Sequence, residues 1–292
     1  MAFLEYTPNT TLFHYCSPIG FDGIVGSKSI WLTDLQFAND PKELILAGVV
    51  ESLLSDLIGD VETPADLRLA CMTLARRARD QRRRSGFHSF SLSLRGDQLP
   101  MWQEYTDRGR GFCIGFRPTA FNDMPLRIQK VSYAPPDHLS SMHDQVEAIV
   151  RPLVGHEDDL HLCLAALAEV MRLATGTKDD TWMHESEIRL VFSSSVRPSD
   201  FAPGKELPIA QLPDGAPVWS EEPYFRERNG RRVPYHVKPF GRFINGKFDG
   251  SGAIELVIVG PNNPRSVEEV RSNLSELGYR NFQVIKSRCA FR

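Results

Sequence analysis

Residues 182–192, WMHESEIRLVF, combine a hydrophobic run with three charged side chains at alternate positions. In a β-strand over 184–192, Glu185, Glu187 and Arg189 share one face, and the mostly apolar residues between them face a core. Charges inside a sheet are costly unless they pair with each other or line a cleft. A carboxylate held in a cleft can transfer a proton or stabilise a developing positive charge, so this strand is the first candidate for chemistry.

Length and composition limit the classes to which the protein can belong. The chain has 292 residues, of which 41% are hydrophobic and 24% are charged, and this composition is ordinary for a globular protein. Its net charge of -3 gives no basic field for nucleic acid. No apolar run predicts a membrane span, and the first residues do not resemble a signal peptide. The five cysteines are scattered, which argues against a disulfide framework or a zinc site and predicts a cytoplasmic protein.

The elements that must position the charged strand alternate between strands and helices. Hydrophobic periodicity predicts strands at 11–16, 29–33, 87–93, 112–116 and 126–133, and helices from Ser17-Pro18, at about 42–58, from 65 to 84, at 99–105, 138–152 and 157–175. A strand, a helix and a strand close the chain. The pattern predicts a single α+β domain over 1–292, with helical insertions at about 41–84 and 138–177 and an irregular excursion at about 195–232.

Seven short motifs occur along the chain, each of them once. They are His14-Tyr15-Cys16-Ser17, Trp31-Leu32-Thr33, Asn39-Asp40-Pro41-x-Glu43, Phe90-Ser91-Leu92-Ser93, Trp102-x-x-Tyr105 with Gly111 to Phe116, Trp182-x-x-Glu185-x-Glu187-x-Arg189, and Val259-Gly260-Pro261. Over nearly the whole chain they resemble a bacterial family known as domain of unknown function twenty-nine seventy-one. The chain departs from that family at Cys16, where Thr is more common, and in the long excursion.

Three of these motifs also resemble, more distantly, the ADP-ribosyltransferase superfamily. The first strand ends in His14-Tyr15, a Ser-rich strand follows, and a late strand carries Glu185-x-Glu187. The resemblance implies a central, mostly antiparallel split sheet and NAD as co-substrate. The protein would then be an ADP-ribosyltransferase or an NAD glycohydrolase. Such activity often serves bacterial toxins and phage defence, so an effector role and an immunity or defence-system partner are expectations.

The same resemblance implies roles for individual residues. Glu187 is the catalytic carboxylate that stabilises an oxocarbenium-like state, and Glu185 orients or deprotonates an acceptor. His14 donates to a ribose hydroxyl across the cleft from Glu187. The expected cofactor-binding set is His14, Tyr15, Ser17, Trp31, Asn39, Ser91, Trp102, Tyr105 and Arg189. Arg189 is also the partner expected to fix Glu187, and the acceptor stays open between protein, nucleic acid and water.

Other interpretations of the same residues remain open. Glu185, Glu187 and Arg189 could form cross-strand ion pairs on a partly solvated sheet face without any catalytic role. The cleft could then belong to a non-catalytic module that binds a nucleotide or a protein. A nuclease is the third reading, with Asp40, Glu43, Glu185 and Glu187 holding Mg²⁺ if they converge in space. No spacing in the sequence predicts a dedicated metal site.

Overall fold

A computed structural model describes residues 3–4, 6–37, 54–134, 139–195, 208–211, 217–219, 223–228 and 230–290. Among these are seventeen strands, labelled β1 to β17 in chain order. Their bounds are Phe3–Leu4, Leu12–Cys16, Ser29–Asp34, Ser85–Ser93, Phe112–Phe116, Arg127–Lys130, Ser132–Ala134, Thr177–Asp179, Glu187–Ser195, Pro208–Gln211, Pro217–Trp219, Tyr224–Arg228, Arg231–Pro239, Arg242–Ile244, Lys247–Asp249, Ile254–Val259 and Gln283–Lys286.

Six α-helices with defined bounds, α1 to α6, lie between the strands in the described parts of the chain. They are Pro18–Ser27, Ala65–Arg84, Leu99–Tyr105, Leu139–Val150, Leu160–Gly176 and Val267–Glu276. Local sequence explains several of their starts. Ser17 caps α1, which has Pro18 at its first position, and Ser266 and Glu269 form a reciprocal capping box at α6. Residues 54–59 are also helical. None of the helices in the described ranges is long and apolar enough to cross a membrane.

Eleven strands form one large sheet that forks beside β4. The main path runs β1-β6-β9-β4-β2-β5-β16-β17, and a branch runs from β4 through β3 and β13 to β12. All pairs in this sheet are antiparallel except β1 with β6 and β16 with β17. The edge of β4 is shared, because it pairs with β2 only at Phe13–Ser93 and with β3 at Ser89 and His88. Between these two contacts β2 and β3 diverge and leave a gap.

The hydrophobic residues separate into a sheet core and a helical core. The sheet core packs α1 and α6 against strands such as β5, β9 and β16. Helices α2, α4 and α5 bury their apolar faces against one another, together with residues from 54–59. The two predicted helical insertions therefore pack together. Burial of apolar surface stabilises the fold by about 25 cal/mol per Å², and it holds in place the strands that carry the charged residues.

Most predicted elements are confirmed, including the α+β class, the large mostly antiparallel sheet and the closing strand–helix–strand unit. The start predicted for the strand at 184–192 is three residues too early, because Asp180–Glu185 is a 3₁₀ helix and Ser186 has a left-handed φ of 47°. Its strand proper is Glu187–Ser195. Strand β8 follows the second predicted helical insertion, and part of the irregular excursion is the β12–β13 hairpin. Asn39-Asp40-Pro41, Glu43 and most of the helix at 42–58 lie outside the described residues.

Candidate functional site

A cavity of about 440 Å³ lies at the fork of the sheet. Its walls come from β2, α1, β3, β4, α3, β8 and β12, from the 3₁₀ helix that ends at Glu185 and from the start of β9, so residues of both branches of the sheet line it. Cavities of about 300–1,000 Å³ that mix apolar walls with a few polar groups are typical of small-molecule sites. The predicted residues His14, Ser91, Glu185 and Glu187 all line this one cavity.

Glu187 is a buried carboxylate fixed by Arg189. The Arg189 guanidinium donates from Nε and Nη2 to the two carboxylate oxygens at 3.0 and 2.8 Å, and from Nη1 to the Thr175 carbonyl at 2.7 Å. The Ser91 hydroxyl also hydrogen-bonds to Glu187. Burial raises the pKa of Glu187, but Arg189 and Lys178 outweigh it and lower the pKa below its ordinary value. Glu187 is therefore ionised at neutral pH.

Glu185 reaches the same cavity from the 3₁₀ helix, because the left-handed backbone at Ser186 turns the chain between the two carboxylates. Its carboxylate accepts from Lys178 Nζ at 2.6 Å and from the Tyr105 hydroxyl. Burial raises the pKa of Glu185, Lys178 opposes that effect, and the negative charge of Glu187 adds to it. The two neighbouring carboxylates thus have pKa values shifted in opposite directions, which is the usual preparation for acid–base chemistry.

Lys178 is a site residue that the sequence reasoning missed. It is buried on β8, and its Nζ lies 2.6 Å from Glu185 Oε2 and 3.5 Å from Glu187 Oε2. Strand β8 pairs in parallel with β7, which places Lys178 opposite Tyr133. The Tyr133 hydroxyl in turn accepts the backbone N–H of Glu187 at 2.7 Å. No local pattern marks Lys178, because its position depends on a pairing between strands more than 40 residues apart in the chain.

His14 and Glu187 lie near each other because both contact Ser91. Its ring stacks on Phe90 at 4.1 Å between centroids, and its Nδ1 lies 2.9 Å from the carbonyl oxygen of Ser91. A carbonyl only accepts, so Nδ1 carries the proton. Burial lowers the pKa of His14 to about 4, against the opposing effect of the Ser91 bond. Neutral His14 therefore has Nε2 as an acceptor, and the predicted donation to a ribose hydroxyl becomes acceptance from it.

Tyr15 and Trp102 pack mainly against each other. Their rings meet edge to face at 5.3 Å. The Tyr15 hydroxyl donates to the Arg95 carbonyl at 3.0 Å and accepts from the Gln98 N–H at 2.9 Å, while Trp102 Nε1 donates to Asp97. Tyr15 contributes to the cavity wall, but Trp102 is fully buried and is not part of that wall. Trp102 therefore packs in the protein interior and is not placed to stack on a ligand in the cavity.

The remaining predicted cofactor-binding residues have different positions. Ser17 lines the cavity and caps α1 by accepting from the Gly20 N–H. Trp31 lines the cavity with 42% of its surface exposed, and its ring stacks on Tyr235 at 4.5 Å. Arg189 lies behind Glu187, outside the cavity wall, where it positions that carboxylate. Asn39 lies outside the described residues.

Two arginines of the β12–β13 hairpin also line the cavity and were missed. Arg226 and Arg228 lie two residues apart on β12, within the excursion predicted as irregular. The sequence does contain a signal for this hairpin, since Asn229-Gly230 separates the two strands and Asn-Gly is the typical dipeptide of a tight β-hairpin.

The Mg²⁺ site of the alternative nuclease hypothesis gains no support from the neighbours of the two glutamates. Glu185 and Glu187 both contact cationic side chains, Lys178 and Arg189, whose charges oppose a divalent ion. Within the described ranges no group of three or more His, Cys, Asp or Glu side chains converges. Asp40 and Glu43, the other two ligands in that hypothesis, lie outside those ranges.

Comparison with known proteins gives one family. Residues 101–190 match the family model described as "Protein of unknown function (DUF2971)". The match supports the predicted family of unknown function, over about a third of the chain instead of nearly all of it. The matched segment contains Tyr105, Lys178, Glu185 and Glu187 of the cavity wall, together with Arg189. No curated protein and no solved structure matches the chain.

Proposed function

We propose that the cavity binds NAD and that the protein cleaves the bond between nicotinamide and ribose, passing ADP-ribose to an acceptor or to water. The observation that carries this proposal is the convergence of His14, Ser91 and the two glutamates on one cavity. That cavity lies where the antiparallel sheet forks. The fork is consistent with an ADP-ribosyltransferase-like split sheet, which we include in the proposal.

Glu187 suits the bond-breaking step. As the C1′–N bond breaks, its electron pair leaves with the nicotinamide and positive charge develops on the ribose. A carboxylate that is ionised and held rigidly near the ribose stabilises this charge. The bidentate contact with Arg189 fixes Glu187, and the bond from Ser91 holds it toward the cavity. Because the carboxylate is already oriented, little reorganisation is needed during the reaction.

Glu185 suits the second half of the reaction. An acceptor O–H or water that attacks C1′ must lose a proton, and a carboxylate with a raised pKa can take it. Burial raises the pKa of Glu185, and burial together with the charge of Glu185 also raises the pKa of Tyr105. Tyr105 therefore stays protonated and donates to Glu185. Lys178 limits the rise by favouring the ionised form that acts as base.

His14 and the Ser-rich strand serve binding. Neutral His14 offers Nε2 as an acceptor for a ribose hydroxyl, and the hydroxyls of Ser89 and Ser91 line the cavity floor beside it. Stacking of Trp31 on Tyr235 gives a flat aromatic surface at the cavity wall. A nucleotide has hydroxyls, a base and phosphates that fit such a mixed lining.

The test is release of nicotinamide from NAD, measured by chromatography with water alone, with protein lysate and with nucleic acid as acceptors. We expect nicotinamide in at least one of these mixtures, with ADP-ribose appearing free or attached to the acceptor. If NAD stays intact in all three, the enzymatic proposal is wrong. The predicted toxin or phage-defence role adds a second readout, because expression of an active NAD-consuming protein should then arrest growth of the host cell.

A second candidate is a nucleotide-binding module without catalysis. The observation in its favour is that Glu187 is only 2% exposed and bound through both oxygens by Arg189. A purely structural ion pair would have the same geometry. Titration calorimetry with NAD separates the two candidates, since the module binds NAD without any release of nicotinamide.

A further inference from the structure

The β12–β13 hairpin extends the polar face of the sheet that carries Glu187. Tyr224 pairs with Tyr235, Tyr235 with Thr33, and Thr33 with Ser89. Directly paired residues share a face, and so do alternate residues along one strand. Arg226 and Arg228 therefore lie on the same face as Thr33, Ser89 and Ser91, and all five line the cavity.

Arg226 is held in place by one hydroxyl and two aromatic rings. Its Nη2 donates to Thr33 Oγ1 at 2.9 Å, and its guanidinium carbon lies 5.6 Å from the centre of the Trp31 ring and 5.7 Å from that of Tyr235. These contacts orient the guanidinium but do not neutralise it. Because Thr33 accepts from Arg226, its own hydroxyl hydrogen can be donated to a ligand.

The charge of Arg226 has no acidic partner among the described residues. Its Nε is buried without a hydrogen-bond acceptor, and none of the carboxylates in that part of the chain forms an ion pair with it. Burial lowers the pKa of Arg226, and the charge of nearby Arg228 lowers it further. A half-buried donor group without an acceptor costs free energy unless a ligand supplies one.

Strand register relates the position of Arg226 to that of Glu187. Arg226 bonds to Thr33, and Glu187 bonds to Ser91. Ser89 is opposite Thr33, so Ser91 is the diagonal neighbour of Thr33 on the same face. Diagonal neighbours lie about 7–8 Å apart. Arg226 and Glu187 thus bond to neighbouring positions on one sheet face, with the Arg226 guanidinium on one side of the cavity and the carboxylates of Glu185 and Glu187 on the other.

We propose that Arg226, with Thr33, binds the phosphate groups of a nucleotide whose sugar lies at Glu185 and Glu187. This inference deepens the proposed function and rests on it for the position of the sugar. A planar guanidinium with free N–H groups matches the geometry of phosphate oxygens. The site therefore selects a phosphorylated ligand such as a dinucleotide over an unphosphorylated nucleoside.

Calorimetry with ADP tests the phosphate site, because ADP carries the diphosphate but no nicotinamide. We expect Arg226→Gln to weaken ADP binding by about 10- to 150-fold, the range for a lost charge-assisted hydrogen bond. Arg226→Lys, which keeps the charge but not the planar fork, should lose less. Arg232→Gln is the matched control, because Arg232 lies on the other face of the same hairpin, over the ring of Phe225.

Several results would overturn the phosphate site. They are no ADP binding by the wild-type protein, equal weakening by Arg226→Gln and Arg232→Gln, and full affinity in a folded Arg226→Gln variant. Binding of a single-stranded oligonucleotide that ADP does not displace would assign the hairpin to nucleic acid instead. The two proposals fail separately. Arg226-dependent ADP binding without nicotinamide release would contradict catalysis alone, and nicotinamide release with an unchanged KM for NAD in Arg226→Gln would contradict the phosphate site alone.

Discussion

Lys178 is buried between the two cavity carboxylates, so its replacement by methionine tests whether this charge cluster is coupled as the structure indicates. Methionine preserves much of the side-chain volume and removes the charge. Lys178→Met leaves Glu185 and Glu187 adjacent, with Arg189 still bound to Glu187. Removing one partner of a buried ion pair costs about 3–5 kcal/mol, and we expect that loss in the free energy of unfolding.

The pH dependence of this loss separates electrostatics from packing. Lys178 lowers the pKa of Glu185, so the pKa of Glu185 in the folded Lys178→Met protein rises further above its ordinary value. The folded state then binds more protons than the unfolded state between the unfolded pKa of about 4.3 and the raised folded pKa. Stability of the variant therefore falls as pH rises through that window, and its deficit relative to wild type grows in the same direction.

The assay is urea unfolding of both proteins at about pH 5 and about pH 8. Arg172→Met is the matched control, because Arg172 forms an exposed pair with Glu169, and such pairs contribute about 0–1 kcal/mol. The double variant Lys178→Met with Glu185→Gln should recover much of the loss, since the unpaired charge is gone. A deficit in Lys178→Met that is equal at both pH values would refute the reasoning.

Two further predictions concern Glu185 and Gly111. If Glu185 is the base, kcat for nicotinamide release falls as pH drops through the raised pKa of Glu185. Glu185→Gln should have low activity and should not show this fall at acidic pH. A fall that persists in Glu185→Gln would assign the titration to another group. A Cβ at Gly111 would lie 1.9 Å from the Cys16 carbonyl oxygen, so Gly111→Ala should lower the free energy of unfolding by about 1–3 kcal/mol, measured in thermal or urea melts. Gly252→Ala is the control and should not lower it, because a Cβ there meets nothing within 4 Å.

Much of the architecture follows from the sequence because local periodicity is strong there. The first strand and helix, the basic helix ending at 84 and the closing unit have clear patterns, and the predicted bounds of the first strand and of the basic helix agree with the structure within one residue. The alternation of Glu187, Ile188 and Arg189 also predicted the correct faces, because these residues lie in a true strand. Buried Ile188 faces the core, and Arg189 faces Glu187.

The position of Glu185 was predicted for the wrong reason. Simple alternation placed it beside Glu187 on one strand, whereas the structure reaches a similar result through a 3₁₀ helix and a left-handed Ser186. A serine in the sequence does not indicate a left-handed backbone, so a pattern of period two could not detect the turn at Ser186. Lys178 and Arg226 depend on long-range strand pairing, which single-sequence periodicity does not contain. For the Arg226 hairpin, Asn229-Gly230 was the usable signal.

Substitution of Glu187 tests the central claim most directly. Initial rates of nicotinamide release from NAD would be compared for wild type, Glu187→Gln and Glu255→Gln, a glutamate paired with Arg117 outside the cavity wall. Loss of a group that stabilises transition-state charge costs about 10²–10³-fold in kcat, so we expect at least that loss in Glu187→Gln and near wild-type rates in Glu255→Gln. An unchanged rate in a folded Glu187→Gln protein would contradict the account.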